Sequence, residues 1–372
     1  MNFQTYPFEK LNNLLENITP SKQYEPLSLT IGEPQFSTPK FIIDELHNSS
    51  GLLNKYPKTS GEAILREGML QYLKNRFDLE LNNQQIIPTF GTREVLFNFP
   101  QFLLHDIEDP IMAFPNPFYQ IYEGASKASR AKTIYLNLLS ENSFQPTIDE
   151  EALKECDLVI INTPNNPTSS VMLIDELKKW VELSLKYNFV LLNDECYIDL
   201  YLDKPLPSLL NASIEVGNPE FKNILVINSI SKRSSAPGLR SGFIAGDAKI
   251  LKEYMTYRTY VGCASPLPLQ HASTVAWADQ SHVDEFRAKY IRNFEIAKEI
   301  LGIEPPLATF YIWLKVDDEI EFTQRLYREY NLKVIPGSFL GREGQGEGYI
   351  RLALVYEENK TREALERIKQ AL

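Results

Sequence analysis

Ile224-Leu225-Val226-Ile227-Asn228-Ser229-Ile230-Ser231-Lys232-Arg233-Ser234-Ser235-Ala236-Pro237-Gly238-Leu239-Arg240-Ser241-Gly242-Phe243-Ile244-Ala245 reads as two short apolar strands joined by a loop of small residues that carries Lys232, Arg233 and Arg240. Continuous apolar runs of this length, bounded by polar residues, suit strands covered on both faces. A lysine held by a tight loop at a strand end, among hydroxyls and a second cation, suits condensation with an aldehyde beside a bound phosphate. Crowding by positive charge lowers the amine's pKa and leaves it neutral and nucleophilic. Ser229, Lys232 and Arg240 would then surround one such group. Alone, a Ser-x-x-Lys turn is more often an ordinary solvated basic loop, so its meaning depends on what flanks it.

Working outward, similar runs occur at 111–114, 133–136, 158–161 and 189–192. Amphipathic stretches separate several of them. Thr147-Ile148-Asp149-Glu150 has capping-box spacing and predicts a helix through Lys154, and 174–187 keeps apolar residues at helical intervals. Strand, helix and strand in succession imply an α/β fold, a three-layer sandwich around a mostly parallel sheet with right-handed crossovers. Ligands in such sheets sit at the carboxyl ends of the strands. Asn162, Asp194 and Ser229 each follow a run, so they are expected to converge on one crevice. After Pro268 longer helical patterns take over, most clearly 283–301. Strand-like and helical stretches then follow at 310–316, 322–330, 334–335, 349–355 and 361–372. The extended run 27–31 is expected to pack back on this part. The resulting expectation is a large unit over 41–282 and a smaller α+β unit built from 1–40 and 283–372.

Composition narrows the function. The 372 residues carry 38 basic and 49 acidic side chains, 38 − 49 = −11, which repels polyanions and argues against nucleic acid or an anionic membrane as partner. Cys156, Cys196 and Cys263 lie far apart without CxxC spacing, which fits a reducing compartment and no structural zinc. The N-terminus lacks the charged and apolar regions of a secretion signal, and no stretch reaches the ~18 apolar residues of a spanning helix. The expectation is a soluble cytoplasmic protein without a metal centre.

Four further segments supply candidate site residues. In Phe90-Gly91-Thr92-Arg93-Glu94-Val95-Leu96-Phe97 the free backbone amides of Thr92 and Arg93 at a helix N-terminus suit a phosphate. Pro115-Asn116-Pro117-Phe118-Tyr119-Gln120-Ile121-Tyr122 projects aromatics from a rigid turn, and Tyr119, with Phe118 as fallback, is the residue expected to stack on a planar ring. Asn162-Thr163-Pro164-Asn165-Asn166-Pro167-Thr168 is a loop stiffened by two X-Pro bonds, with Asn166 poised to donate to a phenolate oxygen. Asp194-Glu195-Cys196-Tyr197 places a carboxylate inside the sheet edge, where it needs a cationic partner such as a protonated pyridine nitrogen. Tyr197 would share the phenolate with Asn166. A lysine for an aldehyde, an anion for a pyridinium and a cup for a phosphate together point to pyridoxal 5'-phosphate.

In this order and spacing the chain resembles the fold type I pyridoxal phosphate aminotransferases of class I/II. The resemblance spans Leu29-Thr30-Ile31-Gly32-Glu33-Pro34, Tyr56-Pro57 with Gly61, Gly91 to Glu94, the 162–168 loop, Asp194 to Tyr197, the Lys232 loop, and Tyr349-Ile350-Arg351-Leu352. It implies that Lys232 carries the cofactor and shuttles a proton, with Asp194 on the ring nitrogen and Asn166 and Tyr197 on the phenolate oxygen. Lys232, Asp194 and Tyr197 form the implied catalytic set. Thr92, Arg93, Ser229 and Arg240 look like the phosphate cup, and Arg351 with Gly32 like the clamp on the substrate α-carboxylate, where a guanidinium grips two oxygens at once. Tyr56 matches a tyrosine that reaches the phosphate of the neighbouring subunit, implying a homodimer with shared sites. Two departures stand out: Ser169 follows Thr168 where relatives often have glycine, and Thr309 likewise stands where glycine is frequent.

A narrower resemblance, to the N-succinyldiaminopimelate aminotransferases of lysine and peptidoglycan precursor synthesis, rests on Tyr6 to Leu11, Gly91 to Phe97 and Arg258-Thr259-Tyr260-Val261-Gly262-Cys263. It implies glutamate as amino donor and N-succinyl-2-amino-6-oxopimelate as acceptor. Arg93, Arg258 and Lys132 are the candidates for its distal carboxylates. Aminotransferases for aspartate, aromatic or kynurenine-type substrates, a lyase or decarboxylase of the same fold, and a noncatalytic cofactor-binding domain are the competing readings.

Overall fold

The computed structural model describes residues 3–372. Its strands are β1 Leu27–Ser28, β2 Ile86–Thr89, β3 Ile111–Asn116, β4 Lys132–Asn137, β5 Leu158–Asn162, β6 Val190–Asp194, β7 Ile224–Ser229, β8 Gly242–Gly246, β9 Tyr311–Lys315, β10 Leu332–Lys333, β11 Ile335–Pro336 and β12 Tyr349–Ala353.

Seven of them form one sheet in the order β2-β8-β7-β6-β5-β3-β4. The five strands from β4 to β7 run parallel, whereas β8 and β2 are antiparallel additions at one edge. Alternate residues of each strand enter opposite apolar layers. Val159, Ile161, Leu191 and Val226 pack with the helices Ala63–Phe77, Ile174–Tyr187 and Leu267–Ala278, while Leu158, Ile160, Leu192 and Leu225 pack with Thr92–Leu103 and Ala248–Val261. Burial on both faces explains the continuous apolar runs and produces the three-layer sandwich expected from them.

Two local expectations change. β2 was not anticipated, because Ile86-Ile87-Pro88-Thr89 is short and contains proline; it forms at the sheet edge, where a missing N–H is tolerated. The helix expected from Thr147 begins at Glu150 and ends at Leu153, capped by Asp149, whose carboxylate accepts from the amides of Glu151 and Ala152. The acidic cap beats the threonine because its oxygen reaches two amides of the first turn.

Beyond residue 280 the helix Ser281–Leu301 leads to the antiparallel sheet β11-β12-β9, covered by the helices Glu319–Tyr330 and Glu358–Ala371. β1 joins this part through parallel pairing with β10, Leu27 opposite Leu332. From the segment before residue 40, Tyr6, Pro7, Phe8, Ile31 and Gly32 reach the cavity described below. Among the described residues no helix is long and apolar enough to cross a membrane.

Candidate active site

The parallel register brings Asn162 opposite Asp194, and Asp194 opposite Ile227, two residues before the strand end at Ser229. The loop after β5 is stitched to its own strand end. Asn162 Nδ2 donates to the Asp194 carbonyl (2.8 Å), and the Asn166 amide donates to Asn162 Oδ1 (2.8 Å). Both prolines of the loop, Pro164 and Pro167, follow cis peptide bonds.

After β7 the chain makes one helical turn, Ile230–Arg233, capped by Ser229 Oγ, which accepts from the Ser231 amide. The two adjacent cations of this turn part ways. Arg233 is buried on Asp199 (2.8 Å), which also holds Arg76 (3.0 Å) and Tyr72 (2.9 Å), so its charge is spent on structure. Lys232 faces the crevice, its Nζ donating to the Gly32 carbonyl, and burial pushes its pKa down to about 8. Arg240 donates to the Pro237 carbonyl and lies against Gly91. The φ of +74° at Gly91 favours glycine, and a Cβ there would stand 2.5 Å from Arg240 Nη2, so that guanidinium would have to move.

Asp194 is buried and receives only neutral donors, the Tyr122 hydroxyl (2.9 Å) and the Cys196 amide (3.2 Å). Burial raises its pKa, with those two contacts opposing the rise. The neighbouring Glu195 turns the other way to accept from the Leu209 amide and Ser208 hydroxyl at the start of the helix Leu209–Glu215; burial pushes its pKa to about 7. Tyr197 shares a hydrogen bond with Tyr311 (2.9 Å). Arg351 donates to Asn166 Oδ1 (2.7 Å) and to the Thr30 carbonyl, and its guanidinium lies 4.5 Å from the Tyr311 ring centroid.

These groups line one cavity of about 520 Å³. Eleven of the twelve residues nominated from sequence border it: Gly32, Thr92, Arg93, Tyr119, Asn166, Asp194, Tyr197, Ser229, Lys232, Arg240 and Arg351. Tyr56 does not; it is 99% exposed on the surface. Phe118, the fallback for stacking, is buried in the layer beneath, leaving Tyr119 at the wall. Two distal-carboxylate candidates are corrected. Arg258 is fully buried in an ion pair with Glu94 (2.9 Å), and Lys132 is exposed on β4, away from the cavity. Tyr6, Tyr122, Gln120 and Tyr311 were missed as site residues. All four lie inside stretches that were singled out, but nothing in their spacing told which ring or amide reaches the site.

The two departures from glycine find each other. Ser169 (φ 63°) and Thr309 (φ 82°) both adopt left-handed backbone, and their buried hydroxyls bond at 2.6 Å. Ser169 Oγ also donates to the Tyr311 carbonyl, and the Tyr311 amide donates to Thr309 Oγ1. The pair thus ties the Asn166 loop to the strand carrying Tyr311. In a cycle of Ser169→Gly, Thr309→Gly and the double variant, the two losses should fail to add by about 1 kcal/mol in denaturant unfolding, the scale of one buried hydrogen bond. Strict additivity would mean the pair does not act as a unit.

The donor set fits pyridoxal phosphate. Lys232, Asp194, Arg240 and Arg351 form no ion pair among the described residues, so an amine, a buried anion and two guanidinium groups face the cavity without counter-charges. Asn166 Oδ1 is occupied by Arg351 while its Nδ2 stays free to donate.

A family profile described as aminotransferase class I and II matches residues 24–368. The chain is similar to aminotransferase AspB from Helicobacter pylori, 48% identical with a TM-score of 0.97, covering 100% of this chain and 99% of that one. It is also similar to an aminotransferase from Neisseria meningitidis, 40% identical with a TM-score of 0.93, covering 99% and 97%. The LL-diaminopimelate aminotransferase of Aquifex aeolicus is 30% identical over 363 residues, 92% of this chain and 90% of that protein.

Proposed function

Because the chain belongs to the class I and II aminotransferases, a pyridoxal phosphate-dependent family, we propose that it moves the amino group of glutamate to the keto acid N-succinyl-2-amino-6-oxopimelate, in diaminopimelate and lysine synthesis. The observation that carries the transamination reading is one cavity lined by Lys232, Asp194 and Arg351, none with an opposing charge. Bound pyridoxal phosphate supplies an aldehyde that condenses with amines and a ring that accepts the electrons of a Cα–H bond.

The chain's own residues do the rest. Lys232 Nζ would hold the cofactor and, once free, would move a proton to and from the substrate Cα as general base and acid. Its pKa, lowered to about 8, leaves a fraction of that amine neutral near pH 7 and most of it neutral above pH 8. Arg351 grips the α-carboxylate, and its anchoring to Asn166 and Thr30 fixes the direction in which the Cα–H bond points. Asp194 would keep a proton on the pyridine nitrogen. Tyr197 and Asn166 Nδ2 would donate to the phenolic oxygen, and Tyr119 would lie against the ring. The amides of Thr92 and Arg93, Ser229 Oγ and Arg240 would hold the phosphate. The exposed Tyr56 serves the site of a second copy, giving a homodimer, and the chain divides into units of 41–282 and of 1–40 with 283–372.

The similarity to enzymes named for LL-diaminopimelate supports an acceptor of the diaminopimelate type and favours, as a second reading, the same keto acid without its succinyl group. A coupled assay with glutamate and the succinylated acid, its unacylated counterpart and oxaloacetate separates them. The succinylated acid is expected to give the highest kcat/KM. Preference for the unacylated acid selects the second reading, and equal or better use of oxaloacetate overturns both. Spectral conversion of the cofactor to its amine form by glutamate is expected; decarboxylation without that conversion would point to a lyase.

A further inference from the structure

We propose that His282, held by Asp279 and bonded to Ser234, is a positioning residue for the reaction: it locks the single helical turn that presents Lys232 to the cavity. The inference rests on the transaminase reading and adds to it a residue outside the cavity. The turn Ile230–Arg233 is closed at its end by the Ser234 amide on the Ile230 carbonyl (3.0 Å). One turn fixes several backbone dihedrals for one hydrogen bond, so it does not hold by itself and depends on anchors from outside. The three residues after Lys232 supply them. Arg233 Nη1 donates to the Ala276 carbonyl (2.9 Å) and Nη2 to Gln280 Oε1 (3.1 Å). Ser234 Oγ meets His282 Nε2 (2.8 Å). Ser235 Oγ donates to the Phe36 carbonyl (2.6 Å), and Thr38 Oγ1 donates to the Ser235 carbonyl (2.7 Å). Residues 36–38 and 276–282 belong to the two stretches by which the chain passes between the seven-stranded sheet and the β11-β12-β9 part.

His282 is fixed from every side. It is buried in the first turn of the helix Ser281–Leu301, with its ring edge-on to Phe41 and to Phe286. Nδ1 lies 2.6 Å from Asp279 Oδ1, which also accepts from the His282 amide (3.0 Å). Burial lowers its pKa and the charge of Arg233 adds to the fall, with Asp279 and Glu285 opposing it, so the ring is neutral at neutral pH. A carboxylate at Nδ1 puts the ring proton there, which leaves Nε2 as acceptor for the Ser234 hydroxyl. Ser234 Oγ has no other partner among the described residues. Aspartate, histidine and serine bonded in this order are also the parts of a nucleophile relay, but Ser234 is fully buried and lies outside the cavity lining, so no substrate reaches it. What the relay can do is fix a backbone. A displacement of about 1 Å at a reacting group costs up to about 10² in rate, and the residue held here stands two positions from the reacting amine in the same turn.

The test uses the holoenzyme for turnover and the cofactor-free protein for recombination with pyridoxal phosphate. His282→Leu should lower kcat roughly 10-fold to 100-fold with the KM for glutamate essentially unchanged, because the turn is displaced while the Arg351 clamp is not. Its recombination rate should rise with pH around a midpoint roughly one unit above that of wild type, since a loosened turn admits water to an amine whose pKa is lowered chiefly by burial. The groups that face this amine, Cys196, Glu33, Arg351 and Arg240, stay in place, so the shift reports burial. His282→Gln, which keeps an acceptor for Ser234, should recover most of both effects. Ser234→Ala should reproduce the leucine variant in milder form, with kcat lower by roughly 3-fold to 10-fold, the scale of one hydrogen bond. It decides the matter if His282→Leu does not fold. Folded variants with the kcat and recombination midpoint of wild type overturn the proposal, and so does a lowered unfolding temperature with the midpoint unmoved, the mark of a structural role alone. A wild-type protein that never binds the cofactor covalently at Lys232 removes the transaminase reading, and the proposal with it.

Discussion

Lys232→Ala is expected to lower transamination by about four orders of magnitude, the upper range for removal of a positioned proton-transfer group. Borohydride should no longer fix cofactor to the protein, which mass spectrometry reads directly. Fold loss is not the expected cause, because the lysine's hydrogen bond in the structure goes to a single carbonyl, that of Gly32, while the ion-pair framework beside it belongs to Arg233 and Asp199. The same amine predicts a pH dependence. Its pKa is lowered to about 8, chiefly by burial, so it is protonated below that pH and neutral above it. Recombination of cofactor-free protein with pyridoxal phosphate should therefore accelerate as pH rises through about 8. A flat rate between pH 7 and 9, or a Lys232→Ala protein that still binds cofactor covalently, would contradict the role given to this residue.

Asp194→Ala should lower kcat by about 10² to 5 × 10³, as expected when one partner of a buried charge pair is removed at a loss of roughly 3–5 kcal/mol. The carboxylate lies in the interior with only Tyr122 and the Cys196 amide for company. Burial has already raised its pKa, so a cation brought into contact with it is what holds it ionised. Asp194→Asn keeps the shape and a hydrogen-bond acceptor but loses the charge. Its activity should fall nearly as far as that of the alanine variant. If the asparagine protein kept full turnover, the negative charge would be irrelevant to catalysis and the pairing with a ring nitrogen would be wrong.

The fold was largely legible because a strand buried on both faces writes its burial into consecutive residues. β3 to β8 all fell within a residue or two of their apolar runs, and Ile174–Tyr187 appeared with the limits expected. Signals were weakest where local and tertiary preferences disagree. β2 carries a proline and gains its place only by pairing with β8. Ser169 and Thr309, 140 residues apart, looked like two unrelated departures until their hydroxyls met.

The chain order alone determined that Asn162, Asp194 and Ser229 would stand at or just beyond strand ends, with Lys232 in the turn that follows, since apolar periodicity and strand termini are properties of neighbouring residues. Only the tertiary structure decided which charges remain free. Lys232 and Arg233 are adjacent and chemically alike in sequence, yet one faces the cavity and the other is neutralised by Asp199. Arg93 and Arg258 divide in the same way, the second consumed by Glu94. Desolvation and ion pairing act through space over a few ångströms, between residues that can be a hundred or more positions apart in the chain.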